Sequence, residues 1–274
     1  RFCASKRAVL LVEEGQPNYI EQGSASVLRK ADLQTVLVGK GVLPAAGEYT
    51  PTHLGQGLRD FIARHAPTLL PPAPPRVIPI TTIDAQVHAR PPGLCTGCPE
   101  RPVFAALKLV QRELGEHHIS ADIGCHLFSI LPPFHLGNTT MGYGLGAAGA
   151  AAFHGTPGKR AISIMGDGGF WHNGLTSGIA NAVFNKSDSL TLIVDNNYTA
   201  ATGGQDIPSS RAGNKSRSTF HAIEQAVRGV GVEWVKTIKR TYDVAGMRNA
   251  IRDALTSGQS GPKVIVAQSE CMLN

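Results

Sequence analysis

Asp167 sits between glycines at the end of one apolar run, AISIMGDGG, and Asn196 lies at the end of a second, LTLIVDNN. A carboxylate, a side-chain amide and a nearby main-chain carbonyl are hard oxygen donors. Mg2+ takes a few of these from protein and fills its other positions with phosphates and water. Glycines beside Asp167 let the backbone approach a phosphate closely. The pair reads as a Mg2+-diphosphate site, with an ordinary strand-ending turn as the alternative, since Gly-Asp-Gly is common turn composition. The cysteines form a second set: Cys95-x-x-Cys98, then Cys125, 27 residues after Cys98, and Cys271 near the end of the chain. Taken alone, the Cys95-x-x-Cys98 pair suits a redox couple, a zinc half-site or an iron-sulfur half-site. His126 and His172 flank the first set and are the candidates for proton transfer or carboxylate contact, although a lone His is more often a structural hydrogen-bonding residue.

Positioning these residues requires strands that end together. From Ala161 to Gln205 two short apolar runs flank a segment of helical length, a βαβ unit whose strands must be parallel. In a parallel sheet the ligand lies beyond the carboxyl ends of the strands, so Asp167 and Asn196 should meet there. Elsewhere the chain reads as strands over 8–15 and 34–38 and helices over 18–31 and 52–65, a small βαβα unit. Prolines crowd residues 67–92 (Pro67, Pro71, Pro72, Pro74, Pro75, Pro79, Pro91, Pro92). This is extended connector, because proline fixes φ and removes a donor. The remainder gives a helix over 102–114, a strand ending near Asp122 followed by a Gly124-Cys125-His126 turn, a helix over 218–229, a strand over 233–237, a helix over 242–257 and a last strand over 263–268. The fold class is α/β with a mostly parallel sheet, divided into residues 1–66, the connector 67–92 and a second domain, 93–274.

Gly144-x-Gly146-x-x-Gly149 has the form of a dinucleotide fingerprint, but no strand is expected immediately before it, which the fingerprint requires. The small residues there read as the close-packing face of a helix. Phe170 and Trp171 read as packing for a helix start rather than as selectors of an aryl substrate.

With 274 residues, 42% of them hydrophobic, the composition is that of a globular protein of one large or two modest domains. No apolar run has the length of a membrane span and no signal peptide is evident, so a cytoplasmic location and no membrane partner are expected. The net charge of +6 is scattered; its densest group, Arg211, Lys215 and Arg217, reads as a solvated loop, and no nucleic-acid motif accompanies it. Five cysteines in such a chain point to metal or redox use rather than a disulfide framework. The absence of an initiator Met, with a strand almost at once, suggests a piece of a longer polypeptide.

Gly166-Asp167-Gly168, separated by 27 residues from Asn196, resembles the diphosphate signature of thiamine diphosphate enzymes. Thr202-Gly203-Gly204-Gln205, the CxGCP opening at Cys95 and the DIGC turn at Cys125 narrow the resemblance to the 2-oxoacid:ferredoxin oxidoreductases. Within them RPPGLCTGCPERPVF, ADIGCHLFSILPPF and the VEEGQPNYIEQ region look most like the large subunit of the indolepyruvate (arylpyruvate) enzymes, over nearly the whole chain. The resemblance implies thiamine diphosphate held among Gly124, Cys125, His126, Gly142, Gly166, Asp167, Gly168, Gly169, Asn196, Tyr198 and Thr202. It implies Mg2+ on Asp167, Asn196 and the main chain of Tyr198, and a 4Fe-4S cluster on Cys95, Cys98, Cys125 and Cys271. Zinc on those four thiolates, or on three with His126, is the rival. The activity implied is oxidative decarboxylation of an aryl 2-oxo acid to acyl-CoA and CO2, with electrons passed to ferredoxin. The implied partners are CoA, a companion subunit, a preceding pyrimidine-binding domain and ferredoxin, in a dimer of heteromers. The Glu that activates the cofactor has no counterpart here, so this chain alone should be catalytically incomplete. A non-redox thiamine decarboxylase or lyase, which leaves the cysteines unexplained, and a noncatalytic nucleotide-binding regulatory fragment are the alternatives.

Overall fold

The computed structural model describes residues 1–72, 91–155, 158–210 and 221–273. The chain divides into two compact units, Arg1–His88 and Ala89–Asn274. Most of the proline-rich connector and the basic group at Arg211, Lys215 and Arg217 lie outside the described residues.

In the first unit, strands β1 (Ala8–Leu10) and β2 (Val36–Val38) pair in parallel, Ala8 opposite Val36, and alternate with helices α1 (Tyr19–Lys30) and α2 (Pro51–His65). β1 is shorter than the apolar run that announced it, because the two glutamates at its end have other work. The Glu13 carboxylate accepts from the amides of Ile20 (2.9 Å) and Glu21 (3.0 Å), capping α1, and Glu14 accepts from the Tyr49 amide at 2.6 Å. Thr50 caps α2 through its hydroxyl, and Pro51 occupies the first helical position.

The second unit is built on six strands: β3 (Ile119–Ala121), β4 (Thr139–Thr140), β5 (Ile162–Gly166), β6 (Leu190–Asp195), β7 (Trp234–Ile238) and β8 (Lys263–Gln268). Their order is β4-β3-β5-β6-β8-β7, every pair parallel. β6 is buried throughout, and β5 and β8 at all but their last residue, as sheets covered on both faces require. Alternation along them divides the core. Ile162, Ile164, Leu190, Leu192 and Ile265 face the apolar sides of α3 (Glu100–Leu114) and α7 (Val244–Thr256). Met165, Ile193, Val264 and Val266 face α4 (Gly146–Ala151), α5 (residues 167–184) and α6 (Ile223–Gly229). Below this sheet Arg160 links the parts: it pairs with Asp188 at 2.9 Å and donates to the carbonyls of Leu255 and Ser257 at the end of α7 (both 2.6 Å). Lys263, wholly buried, donates to Asp188 at 2.7 Å.

Two details depart from the sequence reading. A strand does precede the glycines of the apparent fingerprint, the two-residue β4 at the sheet edge. What occupies the space above those glycines is protein. A Cβ on Gly144, whose φ is +76°, would lie 2.8 Å from the Gly174 amide, and one on Gly146 would lie 3.1 Å from the Ile164 carbonyl and 3.2 Å from that of Ser120. The glycines seat α4 against the sheet and α5. Secondly, α5 is only briefly a regular helix: Phe170–Ala180 is a π-helix between α-helical turns at Asp167–Gly169 and Asn181–Phe184. Wide turns of this kind gather at functional sites.

The chain steps outward from β3 to β4 and then returns to build β5 on the other side of β3. The crevice between the carboxyl ends of β3 and β5 is the point where the winding reverses, the position at which parallel α/β sheets bind ligands.

Candidate functional site

Four strands adjacent in the sheet each deliver one segment to that crevice: β3 the turn at Cys125, β5 Asp167, β6 Asn196 and β8 Cys271. The CxGC loop before α3 completes the rim, with Gly97 in the left-handed conformation (φ +74°) and Cys98 N donating to Cys95 O at 3.1 Å. Arg101 steadies the loop by donating to the carbonyls of Leu94 and Cys95, and Tyr242 by donating to that of Gly97.

Asp167 is 2% exposed and fixed by backbone donors. Its Oδ1 accepts from Gly168 N at 2.8 Å, and its Oδ2 from Asn196 N at 2.8 Å and Tyr198 N at 3.1 Å. Burial, with Asp195 near, raises its pKa to about 7 in spite of these donors. A buried carboxyl so displaced is one that a bound cation would return to its ionised form. One terminal atom of the Asn196 amide lies 2.6 Å from the Tyr198 carbonyl oxygen and 3.3 Å from Asp167 Oδ2. Without a cation the amide NH2 serves both oxygens. With its carbonyl turned the same way, the amide would place an oxygen beside those of Tyr198 and Asp167. Adjacent ligands in an octahedron with Mg-O bonds of 2.0–2.1 Å are about 2.9 Å apart, so the spacing of these groups fits the ion.

The cavity above them has a volume of about 250 Å3. Its walls include Gly124, Cys125, His126, Gly166, Gly168, Gly169, Tyr198 and Thr202 as well as Asp167 and Asn196. Of the residues singled out from sequence for the cofactor, Gly142 stands apart: it lies in the turn that leads to α4, accepting from Leu145 N at 2.9 Å. His172 is exposed on α5, its ring 5.1 Å from that of Tyr143, and it does not line the cavity. Phe170 is in the core, and Trp171 donates to Ser209 Oγ at 2.9 Å; neither faces the cavity. Thr202-Gly203-Gly204-Gln205 closes a tight loop in which Thr199 N donates to Gln205 O at 3.0 Å, and Gly204 (φ +83°) leaves room for the Tyr198 ring.

Sequence reasoning missed four residues here. Tyr143 and Thr199 place their hydroxyls over Gly168, where any side chain would displace them. Asp122 follows β3, wholly buried, and holds both His126 Nε2 and, at 2.7 Å, Gly144 N. Burial opposes a charge on His126, but the hydrogen bond and charge of Asp122 outweigh it and raise the His126 pKa. Glu100, the first residue of α3, is 2% exposed, and burial pushes its carboxyl up to about 7. The one available signal was an acid directly after Cys98-Pro99 at a helix start, which reads equally as helix-dipole chemistry.

All four cysteines line a second pocket of about 140 Å3, which shares Glu100, Cys125, Asn196, Ala200 and Ala201 with the first. Burial, together with the charge of Glu100, pushes the thiols of Cys98 and Cys125 up to about 12 and about 11. Bound metal would draw such thiols into the thiolate form. Among the described residues no three or more His, Cys, Asp or Glu are drawn closely enough together to hold a single metal ion. Cys3 lies in the first unit, half-buried. No helix among the described residues is long and apolar enough to cross a membrane.

Residues 122–267 match the family described as thiamine pyrophosphate enzyme, C-terminal TPP binding domain. Over its full length the chain is similar to the indolepyruvate oxidoreductase subunits IorA of Methanothermobacter thermautotrophicus (31% identity) and Pyrococcus abyssi (28%), covering 43% of each. In fold it is similar to a 2-oxoglutarate:ferredoxin oxidoreductase from Magnetococcus marinus, with a TM-score of 0.56 and 18% identity over 67% of this chain and 66% of that one.

Proposed function

Because the chain belongs to the thiamine pyrophosphate enzymes through their C-terminal TPP binding domain, we propose that it anchors thiamine diphosphate in an arylpyruvate:ferredoxin oxidoreductase. It spans less than half the length of the IorA subunits it resembles, so the activity belongs to a larger assembly. The observation that carries this reading is the shared wall: a site of three oxygen donors adjoins a pocket lined by four cysteines, with Cys125, Asn196 and Glu100 common to both.

Mg2+ would be held by Asp167, Asn196 and the carbonyl of Tyr198, and would carry the diphosphate. Among the described residues no Lys or Arg lines the cavity. The cation would offset the diphosphate charge, with the hydroxyls of Tyr143 and Thr199, which stand over Gly168, as further polar partners. Bound thiamine diphosphate supplies the carbon nucleophile and electron sink for 2-oxo acid decarboxylation. This chain's residues orient the cofactor, and the Asp122-His126 pair fixes the ring of His126 against the Gly166 backbone. The carboxylate that activates the pyrimidine, the substrate pocket and the CoA site would come from the preceding domain and a companion subunit.

Cys95, Cys98, Cys125 and Cys271 would hold a 4Fe-4S cluster as the electron exit to ferredoxin. The need for an electron exit favours this over zinc, which carries no redox change.

The test is made on the complete complex, purified anaerobically. Thiamine diphosphate should bind only with Mg2+, iron should be present at about four per copy of this chain in excess of other clusters, and indolepyruvate with CoA should bleach the iron-sulfur absorbance. Zinc in place of iron, or Mg2+-independent preference for ATP or NAD, would overturn the reading.

A further inference from the structure

Asp122 stands behind the wall of the cofactor cavity rather than in it. It follows β3, wholly buried, and its amide donates to the Ile164 carbonyl at 3.0 Å, so pairing with β5 fixes where its side chain starts. Oδ1 meets His126 Nε2, and Oδ2 accepts from Gly144 N at 2.7 Å. A Cβ on Gly169 would collide with the same Oδ2, so the glycine there lets the carboxylate reach across. One buried group thus ties together the turn after β3, the turn into α4 and the start of α5. His126, Gly169 and Tyr143, the neighbour of Gly144, all line the cavity. Buried carboxylates are costly unless their oxygens are satisfied, and each oxygen here is taken by a group next to the cofactor site.

Gly144 is in the left-handed conformation (φ +76°), and the turn it belongs to carries the Tyr143 hydroxyl to a point over Gly168, beside that of Thr199. The bond from Gly144 N to Asp122 fastens this turn to the sheet. We infer that Asp122 is a positioning residue for the cofactor, which through Gly144 N holds the Tyr143 hydroxyl where it meets the bound diphosphate. The inference rests on the thiamine diphosphate reading above. Its chemistry separates the two bonds of Asp122. An amide at this position can still accept from Gly144 N through its oxygen, while its NH2 faces a His126 Nε2 that accepts instead of donating. A methyl group can do neither.

The experiment titrates thiamine diphosphate with Mg2+ into the complete complex by calorimetry, for wild type, D122A, D122N, Y143F and the double variant D122A/Y143F, with circular dichroism to verify folding. Y143F keeps the ring and should weaken binding about tenfold, the scale of one hydrogen bond to a charged group. D122A should weaken it at least as much, and D122N by no more than about threefold. Because Asp122 acts through the Tyr143 hydroxyl, the double variant should bind within about twofold of D122A alone, whereas an aspartate that serves only the fold would give the product of the two losses. Losses that multiply, Y143F at wild-type affinity, or D122N as weak as D122A overturns the inference. If D122A does not fold, D122S takes its place in the cycle. Wild-type complex that binds no thiamine diphosphate refutes the cofactor reading itself, and the inference with it.

Discussion

The oxygen site and the cysteine pocket share a wall but are built differently. Asp167 and Asn196 end strands that are direct neighbours, Gly166 opposite Val194, and three backbone amides fix the Asp167 carboxylate before any ligand arrives. The cysteines come from a loop before α3, a turn after β3 and the segment after β8. Few bonds join them, among them Cys98 N to Cys95 O and Cys271 N to Asn196 O at 3.2 Å. They range from exposed Cys95 to buried Cys98. On the proposed assignment, strand ends set in register by a sheet would leave a hard-ion site with little to organise, whereas a site gathered from loops would be finished by the metal that enters it.

The comparison breaks most clearly at Asp167. Asp167→Ala should lower Mg2+-dependent thiamine diphosphate affinity by about 3 to 5 kcal/mol, the scale of removing one partner from a buried charge pair, with the circular dichroism of the complex unchanged. Calorimetric titration giving wild-type affinity in the folded variant would remove the oxygen site from the argument.

Next in size is the cysteine pocket. Cys98→Ser should cost the complex its iron at this centre and its ferredoxin reduction, yet leave thiamine diphosphate affinity within about threefold, or under 1 kcal/mol. Equal loss of both would mean that the two sites form as one unit.

Both sites carry a proton linkage. The Asp167 and Glu100 carboxyls are raised to about 7, from ordinary values of 3.8 and 4.5. Their neutral forms therefore stabilise the cation-free protein fully below those ordinary values, and this contribution is lost as pH rises through 7. Cation-free complex should thus lose Tm between pH 5 and pH 8, and Mg2+ with thiamine diphosphate should restore it at the alkaline end. Asp167→Asn should flatten the cation-free profile. A Tm that climbs over this range without Mg2+ would contradict the buried-carboxyl account.

Smallest is an effect outside both sites. Trp171→Phe removes the 2.9 Å bond to Ser209 and should cost about 1 kcal/mol of stability, measured by denaturant unfolding, with no change in cofactor affinity.

The legible parts of this chain were those where local chemistry and global fold agree. β8 was readable to the residue because Lys263–Gln268 is both apolar and flanked by turn signals. Asp167 and Asn196 were readable because both end such runs. Glu13 and Glu14 misled because accepting from distant backbone amides leaves no mark on hydropathy, and the reading ran β1 five residues too far. β4, at two residues, carries no periodicity at all. Glu100, Tyr143 and Thr199 line the cavity and Asp122 backs it through His126, placements set by tertiary neighbours rather than by their own sequence windows. The π-helical stretch of α5 escaped because its glycines and polar residues fit an ordinary helix equally well.

The shape of the sheet bears finally on how the protein behaves when concentrated or refolded. One edge closes with β4, whose two residues offer an incoming strand almost nothing to pair with. The other edge is β7, five residues long and half-exposed, with Lys236 at its centre paired to Asp253 at 3.5 Å. A charge in the middle of an edge strand discourages edge-to-edge addition. Among the described residues Lys236 is the charge at the centre of that edge, so Lys236→Val should raise the protein's tendency to self-associate, read by light scattering, without touching either pocket.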